Sequence, residues 1–72
     1  MNVFVATIST YYETMAVAAT EAEARRLAAQ RAYEFLTDAD AIQPETSSPA
    51  KVADYFGVTI TEVEVGSAVI VG

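Results

Sequence analysis

An Ala-rich segment that begins at Thr20 and ends at Leu36 constrains the fold more than any other stretch of the chain. Thr20 followed three residues later by Glu23 is typical of a capping box, in which each side chain accepts a hydrogen bond from the other residue's backbone N–H. A helical wheel gathers the alanines on one side, with Leu27, Phe35 and Leu36 as its bulky members. The segment therefore predicts a long helix whose low-bulk side lies close against a sheet.

Two strands are predicted before this helix. Asn2–Ser9 is rich in β-branched residues and apolar on both faces near its start, which favours a central place in a sheet. Met15–Ala19 is the second predicted strand. One uninterrupted strand through both would be about 50 Å long, so the chain is expected to turn between Thr10 and Thr14, with Tyr11 and Tyr12 at the bend.

The second half predicts a short helix followed by strands. Ser48 as N-cap, Pro49 at the first helical position and Gly57 at the end predict a helix over Pro49–Phe56. Thr59–Val65 alternates with period two and predicts a strand with Ile60, Glu62 and Glu64 on one solvated, acidic face. Gly66 and Ser67 then form either a hairpin turn into a last strand, Ala68–Val71, or a bulge within one longer strand.

These elements predict a single α+β domain over residues 1–72. Its small antiparallel sheet carries the long Ala-rich helix on one face, beside a second short helix. If Gly66 and Ser67 form a hairpin turn, the predicted element order is β-β-α-α-β-β. If they form a bulge, the order is β-β-α-α-β. A chain near this length buries only about 60% of the surface that its unfolded form exposes, so we expect a small core.

Composition excludes several classes of function. The 72 residues include no Cys and no His, which removes disulfides, Ser-His-Asp and Cys-His catalysis and the usual transition-metal sites. The apolar runs are shorter than the ~20 residues that span a bilayer, and no basic segment with a hydrophobic core opens the chain. We therefore expect a cytoplasmic protein without membrane contact, metal or cofactor.

Ten acidic and four basic residues give a net charge of -6. Charges within the predicted helix balance, because Glu21 and Arg25, Glu23 and Arg26, and Arg31 and Glu34 form three pairs at helical spacing. The excess lies outside the helix and is opposed by Lys51 alone. It consists of Glu13, Asp38, Asp40, Glu45, Asp54, Glu62 and Glu64. A surface of this sign repels phosphate and attracts basic protein surfaces.

Three alternatives to protein binding carry weaker signals. Ala50–Thr59 resembles the first helix and turn of helix-turn-helix domains, but the next segment has no Lys or Arg and carries Glu62 and Glu64, so direct nucleic-acid contact is not expected. Those two carboxylates, about 7 Å apart on a strand, have a spacing compatible with glycoside hydrolysis. Asp38 and Asp40 fail as an EF-hand because Gln43 replaces the required Gly.

The strand-to-helix junction carries a family resemblance. Val17-Ala-Ala-Thr20, followed by Glu23, Ala24 and Ala28 and preceded by an apolar strand, resembles the opening of small phage- and plasmid-encoded proteins such as the DpnD/PcfM-like group. The resemblance covers the first half of the chain. It implies an origin in a mobile element, and hence action in the host cytoplasm.

Together these features predict a non-enzymatic, acidic protein-binding module. By analogy with small acidic phage inhibitors, including anti-CRISPR proteins, it would block a basic, nucleic-acid-binding surface of a larger protein or nucleoprotein complex by mimicking DNA charge. The predicted partner-binding residues are Glu13, Glu62, Glu64, Asp38, Asp40, Tyr11 and Tyr12. Three of these acids would share one face if Glu13 lies on a neighbouring strand. The alternative is a module that self-associates through the apolar edge strand Ala68, Val69, Ile70 and Val71.

Overall fold

The computed structural model describes residues 1–66, which form a three-stranded antiparallel sheet covered on one face by helices. The elements are β1 (Asn2–Ser9), β2 (Glu13–Ala18), α1 (Glu21–Asp38), a short 3-10 helix (Pro44–Thr46), α2 (Pro49–Phe56) and β3 (Thr59–Glu64). The strand order is β2-β1-β3. The predicted α+β class and the central place of β1 are confirmed. The predicted strand Ala68–Val71, with the edge that it would form, lies outside the described residues.

Helix α1 begins where the sequence predicts, but only half of the capping box forms. The Thr20 hydroxyl accepts from the Glu23 N–H at 3.2 Å. The Glu23 carboxylate does not complete the box, because it accepts from Nε and Nη2 of Arg26 at 3.0 and 2.6 Å. The helix also runs two residues past the predicted end, to Asp38, and the chain leaves it through a left-handed Asp40, φ 55°.

The Thr20 cap predicts a measurable stability loss on mutation. Thr20→Ala removes the acceptor for an otherwise unpaired N–H and should lower the free energy of unfolding by about 1 kcal/mol, measured by urea denaturation. Thr37→Ala is the matched control, because that hydroxyl donates within the helix to the Tyr33 carbonyl at 2.9 Å and such bonds add little. Equal losses in the two variants would contradict a capping role.

Alanine forms most of the layer between α1 and the sheet. Ala24, Ala28 and Ala32 are fully buried in α1, and the α1 residues Ala29 and Leu36 are almost so. Leu27, predicted to supply buried bulk, is instead 37% exposed. It lies about 100° from Ala28 on the helix, at the margin of the packed side. The largest fully buried side chains are Ile8, Leu36 and Val52, so the core is small, as predicted.

Helix α2 matches its predicted bounds because its end signals are local. The Ser48 hydroxyl accepts from the Lys51 N–H at 3.2 Å, and Pro49 occupies the first turn. Gly57 ends the helix at φ 81° and ψ 154°, a conformation open almost only to glycine, while its N–H donates to the Ala53 carbonyl at 2.8 Å.

The strand register decides which side chains face the helices. Ala6 is fully buried and lies opposite Ala16 of β2 and Ile60 of β3. Directly opposed residues share a face, so Ile60 and its row point toward the helices. The predicted solvated face of β3 is therefore wrong for Ile60, which packs against the core. It holds for Glu62, which is exposed on the same side nearer the end of the strand.

Candidate protein-binding surface

The sheet face turned away from the helices carries a cluster of aliphatic side chains among threonines. The odd-numbered residues of β1 point to this side, and so do the residues paired with them. We call this surface the open face. It is formed by Val3, Val5, Thr7, Met15, Val17, Thr59, Thr61 and Val63. Within it Val5 lies opposite both Val17 and Thr61. An antiparallel sheet with one covered face normally carries polar residues on the other.

Side chains of the open face are accessible to a partner. Met15 is 61% exposed and Val17 is 53% exposed, both on the edge strand β2. Val3 and Val5 on the central strand β1, and Val63 on β3, are half-buried. An apolar patch that solvent reaches from one side is a common mark of an interaction site.

Basic side chains are confined to the helical layer. Arg25, Arg26 and Arg31 belong to α1 and Lys51 belongs to α2, and these are the four Lys and Arg residues of the chain. The three described strands contain Glu13, Glu62 and Glu64 and no Lys or Arg. Side-chain charge in the sheet layer is therefore negative throughout.

Two side-chain ion pairs form within α1. Within residues 1–66 the salt bridges join Arg26 to Glu23 at 2.6 Å and Arg31 to Glu34 at 3.9 Å, both inside α1. Hydrogen bonds from the Arg26 guanidinium hold the pKa of the Glu23 carboxyl below its ordinary value. The predicted pair of Glu21 with Arg25 does not form. Two of the three arginines of α1 therefore pair with glutamates of the same helix.

The predicted acidic residues do not form one patch. Glu13 lies opposite Ser9 and Glu62 lies opposite Phe4, so about 17 Å of strand separates them. They also point to opposite faces, because Ser9 belongs to the open-face row and Phe4 to the helix-facing row. The expectation that Glu13, Glu62 and Glu64 share one face is therefore wrong. The cause is the strand register, since Glu13 pairs with an odd-numbered residue of β1 and Glu62 pairs with an even-numbered one. The sequence alone does not reveal this register.

Two separate acidic groups result. At one end Glu62 accepts a hydrogen bond from the Asn2 amide at 2.5 Å, with Glu64 two residues further along β3. Asp38 is the last residue of α1 and Asp40 follows it, at the other end of a helix that is about 27 Å long. That end lies beside the β1–β2 loop, because the rings of Phe35 and Tyr12 meet edge to face at 5.5 Å. Asp38 and Asp40 therefore share an end of the molecule with Glu13.

The two predicted tyrosines have different surroundings. Tyr12 packs on Phe35 but keeps 72% of its surface exposed. Tyr11 is 76% exposed and lines a pocket at the same end of the molecule. Residues from four segments meet there, and they include Tyr11, Leu36, Glu45, Thr46, Tyr55 and Phe56. We call this the tyrosine pocket.

The sequence prediction missed both the open face and most of the tyrosine pocket. A signal for the open face was present, because β1 is apolar on both faces while α1 can cover only one of them. Met15 and Val17 alternate with Ala16 and Ala18, which also placed bulky and small residues on opposite faces. The pocket has no such local signal, since Glu45 and Tyr55 come from distant segments.

Groups associated with other functions are absent from the described part of the chain. No helix within residues 1–66 is long and apolar enough to cross a membrane. The same residues contain no cluster of three or more side chains suited to holding a metal ion. In comparisons with known proteins, no family model, curated protein or solved structure matches the chain.

Proposed function

We propose that this protein is a non-enzymatic protein-binding module that docks on a basic partner through the open face of its sheet. The observation that carries the proposal is an accessible aliphatic face in a layer whose charged side chains are all acidic. Such a surface is complementary to a partner with an apolar centre and Lys or Arg around it. Phosphate is disfavoured as a ligand, since the three described strands carry no Lys or Arg.

The size of the open face supports contact beyond its apolar centre. Three strands about 4.8 Å apart and roughly 20 Å long present about 300 Å², whereas each side of a standard interface buries about 800 Å². The partner would therefore also cover the strand edges and ends, where Glu13 and Glu62 lie. In this arrangement the valines supply most of the affinity and the carboxylates select a basic partner.

A more specific form of this proposal is that the partner is a nucleic-acid-binding protein. The chain would then be a phage- or mobile-element-encoded inhibitor of the anti-CRISPR type. Support comes from the net charge of -6 and from the DpnD/PcfM-like opening of the sequence. The two acidic groups would engage basic patches at two points, in contrast to a DNA mimic that presents one continuous row of charge.

Salt dependence tests the charge complementarity. The partner is captured from a lysate of the source organism and identified, and its affinity is then measured at about 50 mM and about 500 mM salt. We expect affinity to fall as salt rises. Glu13→Gln removes the carboxylate that lies in the open-face row and should weaken binding about threefold at low salt. Glu21→Gln makes the same charge change on the helical layer and should leave affinity nearly unchanged.

Either of two results would reject a basic partner. One is an affinity that does not change with salt, and the other is an equal loss in both variants. Folding of each variant is checked by circular dichroism, and both altered residues are exposed.

Self-association is the second candidate function, because the open face could also pair with a second copy. Facing two copies would bring the Glu13 carboxylates of two negatively charged chains toward one another, which favours the basic partner. Light scattering across a concentration series separates the two candidates. We expect a monomer; a dimer that Val17→Lys dissociates would establish self-association in its place.

A further inference from the structure

The tyrosine pocket combines aromatic faces with a carboxylate. Tyr11 enters from the β1–β2 loop and Tyr55 from α2, and they are 76% and 62% exposed. Tyr55 is held in place by Phe56, whose ring meets it edge to face at 4.9 Å. Glu45, from the 3-10 helix, contributes the carboxylate. No Lys or Arg lines this pocket.

The pocket is built on a rigid base. Leu36 closes it from the core side and is 2% exposed. Thr46 is 3% exposed, and its hydroxyl accepts from the Gln43 N–H at 3.1 Å. These contacts fix the 3-10 helix that carries Glu45. A ligand would therefore meet positions that are already ordered, which reduces the entropy lost on binding.

We propose that the tyrosine pocket receives an arginine or lysine side chain of the protein partner. The inference rests on the proposed function and deepens it, since it names the group that the partner inserts. A cation is attracted by the π faces of Tyr11 and Tyr55 and by the carboxylate of Glu45. An anion would meet Glu45 unopposed, and an aliphatic side chain would leave that carboxylate desolvated without a partner.

Position links the pocket to the open face. Tyr11 belongs to the loop that joins β1 to β2, the two strands that carry Val5 and Val17. Most of the pocket lining comes from the helical layer, so a partner lying over those strands would reach the pocket by extending past the β1–β2 loop at the end of the sheet. Asp38 and Asp40 lie at the same end and add negative potential that attracts a basic side chain.

Short peptides test the inference directly on the wild-type protein. The probes are acetyl-Gly-Arg-Gly-amide, its Lys analogue, and a citrulline analogue that keeps the shape of arginine without its charge. Chemical shifts of the Tyr11 and Tyr55 rings are followed by NMR during titration. We expect saturable shifts with the two cationic peptides and about tenfold weaker binding of the citrulline peptide. Equal binding of the citrulline peptide, or no saturable shift at either ring, would overturn the proposal.

Variants of the pocket separate its two components. Tyr55→Leu should weaken the arginine peptide about fivefold, whereas Tyr55→Phe keeps the ring and should bind as the wild type does. Glu45→Gln should weaken binding about threefold and remove most of its salt dependence. Unchanged binding in both Tyr55→Leu and Glu45→Gln would overturn the assignment, and the exposed positions of both residues make folded variants available.

Different experimental results would overturn the pocket assignment and the proposed docking function. If peptides do not bind the pocket while the partner still binds the wild type and Tyr55→Leu equally, the inference is overturned and the docking function stands. If Val17→Lys leaves partner affinity unchanged while Tyr55→Leu abolishes it, the pocket is supported and the open face is not the docking surface.

Discussion

Leu36→Ala should lower the free energy of unfolding by about 3 kcal/mol, the range found when a buried leucine is truncated in a tightly packed core. Leu36 is 2% exposed and, with Ile8 and Val52, is among the largest buried side chains within residues 1–66. A chain of 72 residues has a total stability of roughly 4 to 11 kcal/mol. The substitution therefore removes a large part of what holds the domain together.

Thermal denaturation measures this loss and Leu27→Ala controls it. The expected fall in Tm is roughly 12 to 24 °C, from about 4 to 8 °C per kcal/mol in a domain of this size. Leu27→Ala deletes the same atoms from the same helix, but Leu27 is 37% exposed, so its loss should stay near 1 kcal/mol or below. Similar losses at both positions would show that the two leucines are equally packed, against the burial described above.

The contrast between these leucines shows that local sequence patterns predict the bounds of a helix better than they predict which of its side chains are buried. Helix α2 was predicted to the residue because Ser48, Pro49 and Gly57 act within one turn of the bounds they set. The start of α1 was predicted for the same reason. The packed side of α1 depends on where the sheet lies, and that is decided by contacts between distant segments. Helical periodicity alone predicted that Leu27 would be buried, whereas it is 37% exposed at the margin of the packed side.

Sheet register limits the prediction of the site more severely. Whether Glu13 shares a face with Glu62 depends on two pairings, Ser9 with Glu13 and Phe4 with Glu62. A shift of one residue in either pairing would reverse the answer. The sequence supplies the alternation within each strand but not the offset between strands. The excess of acidic residues can therefore be read from the sequence, whereas the prediction that they form one patch was wrong.

The open face follows from the same physics once the register is known. A helix with a mostly alanine side can cover only one face of the sheet, and β1 is apolar on both. In a two-layer domain one aliphatic row must then remain accessible. Stability alone gives no reason for Val5, Val17 and Val63 at solvent-facing positions, because polar β-branched residues such as Thr61 suit the same strands.

Val17→Lys should reduce affinity for the partner about a hundredfold while leaving the fold intact. Val17 is 53% exposed on the edge strand β2 and lies opposite Val5 on the open face. Lysine is well tolerated on an edge strand, so the free energy of unfolding should change by about 0.5 kcal/mol or less. In the complex the ammonium group would be buried against apolar atoms and would repel a basic partner. Together these effects should cost about 2 to 4 kcal/mol of binding free energy, which is the loss typical of an interface hot spot.

Gln30→Lys separates position from net charge in this experiment. It adds the same positive charge at an exposed position of α1, on the helical layer, and should change affinity by about threefold or less. Calorimetry or surface plasmon resonance with the purified partner gives both affinities, and urea denaturation checks both folds. An equal reduction by the two lysines would mean that overall charge alone governs binding. A folded Val17→Lys variant with wild-type affinity would mean that the partner does not contact the open face, because a lysine at its exposed margin cannot be enclosed there without loss.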